Sequence, residues 1–377
     1  MKNALISRLP MRRSTRIIGT CLLLACCLVP ARLLPAAHVD YFLKLDGVDG
    51  ESTGISAAAY DEALGLLTIA RGLNKSDPEW KYVSIRRYAS HFDGRFLTAA
   101  DLNNDQKAEI IIPAYAANKL LIIWGDTLDQ ADIVPEVFDV GPGPMAAAVG
   151  ELTGAAPREL LIATTGAQQV GVRGWDFVTK EPVTGTTAYS SGFAQEGLLG
   201  FATSGASASA SNPALAFLRL DAGSNGRPTI QVFAQNPTPI YGPLNSIRNA
   251  TLNQPFTRLV AGHPLGGSQP GWFLAWASGL TSVAMIPSTG GAVEAYDLGA
   301  PITRAQLQHG THSSGAHFLF GDGSVRFYDF NPGQGFALRQ QLDPPPGDSF
   351  AAVAGSGDSV VLLSRDGPYS SFKFLVA

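Results

Sequence analysis

Short runs of small and apolar residues open a new unit at Ile55, Phe96, Met145, Leu198, Leu259, Ala305 and Phe350, at intervals of about 41 to 61 residues. A unit of that size cannot bury a core alone and gains one only by stacking on its neighbours. Inside the units, strand-like runs alternate with Gly, Asn and Asp turns. The clearest are Lys119 to Trp124, Val170 to Trp175, Ala214 to Leu220, Thr229 to Ala234, Gly271 to Trp276 and Val293 to Tyr296. Beyond the N-terminal apolar segment no long window has helical periodicity, and 41 Gly with 25 Pro suit a chain of many tight turns. These patterns predict an all-β fold, a β-propeller of about seven four-stranded blades. The segment from Phe318 to Tyr328 reads as a hairpin with Asp322-Gly323 as its two-residue turn.

The chain ends extend this expectation. Phe350 to Gly355, Ser359 to Ser364 and Ser371 to Val376 supply three strands of a last blade. The alternation of Asp40-Tyr41-Phe42-Leu43-Lys44-Leu45 nominates an N-terminal strand over residues 40–47 as the fourth. Closure by pairing of the N- and C-terminal strands removes the open edges that invite aggregation. The expected organisation is a leader over residues 1–31 and a single propeller domain over 32–377.

One turn carries chemistry. In Asp101-Leu102-Asn103-Asn104-Asp105-Gln106-Lys107-Ala108-Glu109, oxygen-bearing side chains fall at relative positions 1, 3, 5 and 9. Ile110-Ile111-Ile112 follow as a buried strand. Short oxygen ligands on alternate residues of a tight loop can converge on Ca²⁺, which takes about six to eight of them in irregular geometry. An EF-hand loop is excluded, because its Gly at position 6 and Glu at position 12 are replaced by Gln106 and Ile112. The alternative to an ion site is a solvated turn.

The segment resembles the repeat of FG-GAP/VCBS β-propellers, in which Asp-x-Asn-x-Asp-x-x-x-Asp precedes a hydrophobic strand. The resemblance implies calcium ligation by Asp101, Asn103, Asp105 and Glu109, with Glu in place of the usual last Asp, and by the Lys107 carbonyl. A second copy runs from Gly141-Pro142-Gly143-Pro144 through Glu151-Leu152-Thr153-Gly154 to Glu159-Leu160-Leu161-Ile162. It keeps Glu151, Thr153 and Glu159 but has Ala155 where the central carboxylate belongs, so it should bind Ca²⁺ weakly or not at all.

The N-terminus reads as an export signal. Lys2, Arg8, Arg12, Arg13 and Arg16 precede an apolar core from Ile17 to Val29, and Val29-Pro30-Ala31 offers a cleavage site. That core is short for a membrane span. Leu23-Leu24-Ala25-Cys26 is similar to a bacterial lipobox, which implies lipidation at Cys26 as the alternative. Removing residues 1–31 takes five of the 27 basic residues and none of the 31 acidic ones, leaving a net charge of −9. An acidic chain without a basic run is a poor ligand for nucleic acid or an anionic membrane. A secreted, periplasmic or cell-surface monomer is expected.

Residues 41–53, Tyr-Phe-Leu-Lys-Leu-Asp-Gly-Val-Asp-Gly-Glu-Ser-Thr, resemble the opening of Hcp, the tube protein of type VI secretion. This implies a ring-forming alternative that an export signal does not suit. His309, His312 and His317 cluster without Cys or acidic partners and read as loop residues beside the hairpin, with two zinc ligands as the alternative. Trp272 and Trp276 share one face of a strand, which suits packing between blades or an exposed platform for sugar or peptide. No nucleophile elbow occurs in a strand-turn-helix setting. The expected function is a calcium-stabilised, non-enzymatic binding or adhesion scaffold for an extracellular protein or glycan. A propeller hydrolase or lyase acting on polysaccharide is the enzymatic alternative.

Overall fold

The computed structural model describes residues 34–35, 41–45, 55–61, 66–73, 81–85, 97–127 except 104 and 106, 134–140, 143–150, 159–166, 169–176, 181–182, 197–204, 214–220, 225–234, 245–307 except 267–268, and 315–376 except 357–358 and 367–368. The leader with Cys26, the loop holding His309 and His312, and residues 46–53 of the Hcp-like segment lie outside them.

The described strands number 28, in seven antiparallel sheets of four. β1 (Leu34–Pro35) comes first in the chain but belongs to the last sheet. The first sheet holds β2 (Tyr41–Leu45), β3 (Ile55–Asp61), β4 (Leu66–Leu73) and β5 (Lys81–Ile85). The second holds β6 (Thr98–Ala100), β7 (Glu109–Ala114), β8 (Lys119–Ile123) and β9 (Glu136–Asp139). The third holds β10 (Pro144–Gly150), β11 (Glu159–Gly166), β12 (Gln169–Asp176) and β13 (Glu181–Pro182). The fourth holds β14 (Leu198–Ser204), β15 (Ala214–Leu220), β16 (Pro228–Ala234) and β17 (Asn245–Thr251). The fifth holds β18 (Arg258–Gly262), β19 (Trp272–Trp276), β20 (Ser282–Pro287) and β21 (Glu294–Asp297). The sixth holds β22 (Ile302–Leu307), β23 (Ala316–Phe320), β24 (Val325–Asn331) and β25 (Gly335–Leu342). β26 (Asp348–Ser356), β27 (Ser359–Asp366) and β28 (Tyr369–Val376) form the seventh with β1.

Strands pair in chain order within each sheet except that β1 joins β28, and the strands β2, β6, β10, β14, β18, β22 and β26 that open the seven runs lie each beside the next. β26 in turn lies beside β2. Small residues make this convergence sterically feasible: Ala99-Ala100, Ala146-Ala147-Ala148, Ala202, Ala261, Ala305 and Ala351-Ala352 all fall on first strands. Gly200 shows the limit, since a Cβ there would sit 2.5 Å from Leu259 Cβ on the neighbouring first strand. This is a propeller of seven four-stranded blades.

The core lies between sheets. Ile110 and Ile112 face Tyr60, Leu67 and Ile69 of the first sheet, while Ile111 faces Ala147, Leu160 and Ile162 of the third. A strand covered on both faces needs no polar alternation, which is why the Ile run is continuous. Comparable apolar layers join the third sheet to the fourth, the fourth to the fifth, the fifth to the sixth and the sixth to the seventh. A bulge near the start of β10, β14, β22 and β26 marks the repeat in the backbone. A bulge leaves its extra residue out of the ladder, and Arg304 uses this: its Nε donates to the carbonyl of Ala351, the residue passed over in β26, at 3.3 Å.

Two local readings change. Tyr41–Leu45 pairs with β3, so it opens the first sheet, and the last sheet takes Leu34 and Pro35 opposite Ser370 and Tyr369 instead. Alternation identifies a strand but not its partner, and two residues carry no period. The Phe318–Tyr328 hairpin turns through three residues rather than two. Phe320 N–H donates to the Ser324 carbonyl, and Gly321-Asp322-Gly323 lie between them with Gly323 at φ +81°. Glycine is needed there because the closing residue of such a loop is left-handed.

Candidate metal centre

The Asp-Asn-Asp segment connects β6 to β7, and Ala100 pairs with Glu109 at its base. Leu102, fully buried, anchors the turn in the layer between the second and third sheets. The alternate oxygens build two successive side-chain turns. Asp105 N–H donates to Asn103 Oδ1 at 3.0 Å, and Lys107 N–H donates to Asp105 Oδ1 at 2.8 Å. Asn103 Nδ2 also donates to Asp105 Oδ2 at 3.1 Å. Asn and Asp favour this i to i+2 bonding. Asn103 and Asp105 are exposed, whereas Asp101 and Lys107 are half-buried.

Glu109 sits underneath with no solvent exposure. Its Oε2 accepts from Leu102 N–H at 2.6 Å and its Oε1 from Gly125 N–H at 3.3 Å, so one carboxyl joins the start of the turn to the β8–β9 connection. Gly125 has no room for a side chain, because a Cβ there would lie 2.5 Å from Lys107 Cβ. Burial pushes the Glu109 carboxyl up to about 7 against the pull of those two amides, and the negative charges of Asp105 and Asp101 push it further. The structure therefore gathers three carboxylates around one turn, and the two of Asp101 and Asp105 destabilise the ionised form of the buried Glu109.

Among the described residues, no three His, Cys, Asp or Glu side chains stand in metal-holding geometry. The donor chemistry nonetheless suits a hard cation: every donor is an oxygen, and an oxygen that accepts one hydrogen bond keeps a second lone pair. The second copy follows the same backbone plan. Glu159 is the first residue of β11 and pairs with Gly150, the last of β10, as Glu109 pairs with Ala100. Residues 151–158, with Glu151 and Thr153, lie outside the described region.

The other expected site residues are placed differently. Trp272 and Trp276 share a face, yet both are buried in the layer between the fifth and sixth sheets, with Trp272 against Phe330 at 4.9 Å. They form no exposed platform, because both faces of a propeller sheet are covered by neighbours. His317 is not a loop residue: it lies in β23, fully buried. Gln306 Oε1 accepts from Gly355 N–H at 2.8 Å and from His317 Nε2 at 3.0 Å. A backbone N–H only donates, so the atom it meets is the Gln306 oxygen and His317 carries its proton on Nε2. Sequence reasoning missed Gln306, Gly125 and the buried His263, whose Nδ1 meets the Gln269 carbonyl at 3.1 Å. None of them belongs to a motif.

No helix among the described residues is long and apolar enough to cross a membrane. No protein-family model matches the chain, and no curated protein matches it. Solved structures do. The chain is similar to the Dos1 propeller at 10% identity and TM-score 0.52, over 85% of this chain and 74% of that one. It also matches apo AztD from Citrobacter koseri at 12% identity and TM-score 0.47, over 88% of this chain and 93% of that one. A third match is BBS1N in complex with ARL6DN, soaked with lead, at 12% identity and TM-score 0.43, over 74% of this chain and 80% of that one. The Dos1 likeness agrees with the propeller fold.

Proposed function

We propose that the chain is an exported, calcium-stabilised propeller of the FG-GAP/VCBS kind, serving as a non-enzymatic binding or adhesion scaffold for an extracellular protein or glycan. The observation that carries this reading is the turn after β6, where burial first, and then the charges of Asp105 and Asp101, raise the proton affinity of Glu109. A divalent cation would relieve that repulsion. Asp101, Asn103, Asp105, Glu109 and the Lys107 carbonyl would hold it, with Asp105 giving up its contact to Asn103 Nδ2. Oxygen-only donors favour Ca²⁺ over metals that prefer nitrogen or sulfur.

The ion holds the turn, and the ligand would be taken elsewhere on the ring. A cation that binds only the folded chain adds about 2.7 kcal/mol at a concentration 100 times its Kd. The melting midpoint should therefore rise with CaCl₂ and fall with EGTA, and Asp105→Ala should melt at the EGTA midpoint in both buffers. An unchanged wild-type midpoint removes the ion from the reading. Arrays of glycans and extracellular proteins, read for retention and for cleavage, test the scaffold: retention without turnover supports it, and turnover of a glycan moves the chain to the hydrolases or lyases.

A further inference from the structure

We propose that the β25–β26 connection is a docking ridge for a protein with an aromatic-lined groove rimmed by Lys or Arg. This rests on the scaffold reading and narrows its ligand to a protein. Asp343-Pro344-Pro345-Pro346-Gly347 joins the outer strand of the sixth sheet to β26, and it holds the one run of consecutive prolines in the chain.

The sequence sets the backbone of this connection. Proline fixes φ at about −65°, and a residue that precedes proline is held extended, so Pro344 and Pro345 take polyproline II angles. A turn follows: Asp348 N–H donates to the Pro345 carbonyl at 2.9 Å, with Gly347 left-handed at φ +89°. Pro346 and Gly347 at its centre make this the type II pattern, whose first central residue lies in the polyproline II region too. Three successive residues, one full turn of that helix, are therefore shaped before any partner arrives.

Packing turns the ridge outward. Pro344 is half-buried against the β23–β24 turn, where a Cβ on Gly323 would lie 3.6 Å from its Cγ. Pro345, Pro346 and Gly347 are exposed. The β17–β18 connection, by contrast, buries both Leu252 and Phe256. Adjacent exposed prolines present apolar rings and lose little conformational entropy on binding, which is what aromatic-lined grooves exploit. Beside them the exposed Asp343 accepts from Gln341 Nε2 at 2.7 Å, and no Lys or Arg among the described residues pairs with it. A carboxylate left without a counter-charge beside the ridge favours a groove with a basic rim.

Binding of the whole chain to immobilised SH3, WW and EVH1 domains tests this, because each of these probes carries an aromatic-lined groove. Saturable binding to a module with a basic rim is expected. Pro345→Ala combined with Pro346→Ala should weaken it at least about tenfold, or about 1.4 kcal/mol. Asp343→Asn, which keeps the prolines, should weaken it less and flatten its dependence on salt. All three positions are exposed, so both variants should keep the wild-type circular dichroism spectrum and a cooperative melt. No binding to any module, or equal binding by the folded double-proline variant, overturns the proposal and leaves the prolines as stiffeners of the connection. Retention of a glycan on the array alongside that result would leave the scaffold reading standing without the ridge.

Discussion

A carboxyl with no solvent exposure persists in a native chain only when amide donors or a cation offset its desolvation. For Glu109 the donors are Leu102 and Gly125 N–H, and they fall short: the folded group titrates near 7, against an ordinary value of 4.5. Between those values the folded chain holds a proton that the unfolded chain has lost, so without a cation stability is greatest below about pH 4.5 and falls as pH rises through 7. The fall should be on the order of 3 kcal/mol in total. Glu109→Gln carries no charge there, and its melting midpoint in EGTA should stay flat from pH 5 to 8 while the wild type's drops. Gln offers one acceptor where Glu offers two, so the variant should start lower at pH 5. A wild-type midpoint that does not fall across this range would show that the amides fully compensate the charge. The oxygens at 101, 103, 105 and 109 were legible in the sequence because their spacing is local. The burial of Glu109 was not, since it depends on Gly125 in the next connection.

At the scale of elements, Gln306 joins two blades through one oxygen. His317 Nε2–H lies within its own sheet, and Gly355 N–H belongs to β26 of the next. The fit is close: a Cβ on Gly355 would stand 2.7 Å from His317 Cε1. Gln306→Leu keeps the volume but removes the acceptor, leaving two donors buried. At about 1–3 kcal/mol for each unsatisfied group, the variant should lose about 2–6 kcal/mol in chemical denaturation. Gln306→Glu still accepts from both donors and should lose less; equal losses would mean that packing, not hydrogen bonding, sets the effect. Sequence pattern located the starts of β10, β14, β18 and β26 well, because small apolar runs recur where first strands converge. It placed Ile55 at the head of a unit, whereas Ile55 opens β3, the second strand of its sheet. Period-2 alternation is the same in every strand of a blade, so it ranks none of them. For the same reason Trp272 and Trp276 could be put on one face while the neighbour that buries that face went unread.

At the scale of the whole molecule, every described blade is stabilised by its neighbours. The second sheet shares one apolar layer with the first and another with the third, and its Leu102 enters the latter from the acidic turn itself. An ion bound at that turn would therefore act on three blades, not one. Sheets that bury their faces only against each other lose both layers when one of them opens, so cooperativity should extend around the ring. Calorimetry of the wild type should give one transition in CaCl₂ and one in EGTA, displaced to lower temperature, with calorimetric and van't Hoff enthalpies agreeing in both. The displacement at the transition should be about 1–2 °C per kcal/mol, since the unfolding entropy that divides the free-energy change grows with chain length. Asp105→Ala should reproduce the EGTA trace as a single peak. A split transition in EGTA, with a small early peak and an unmoved main one, would instead make the second blade an independent unit and confine the ion's influence to it.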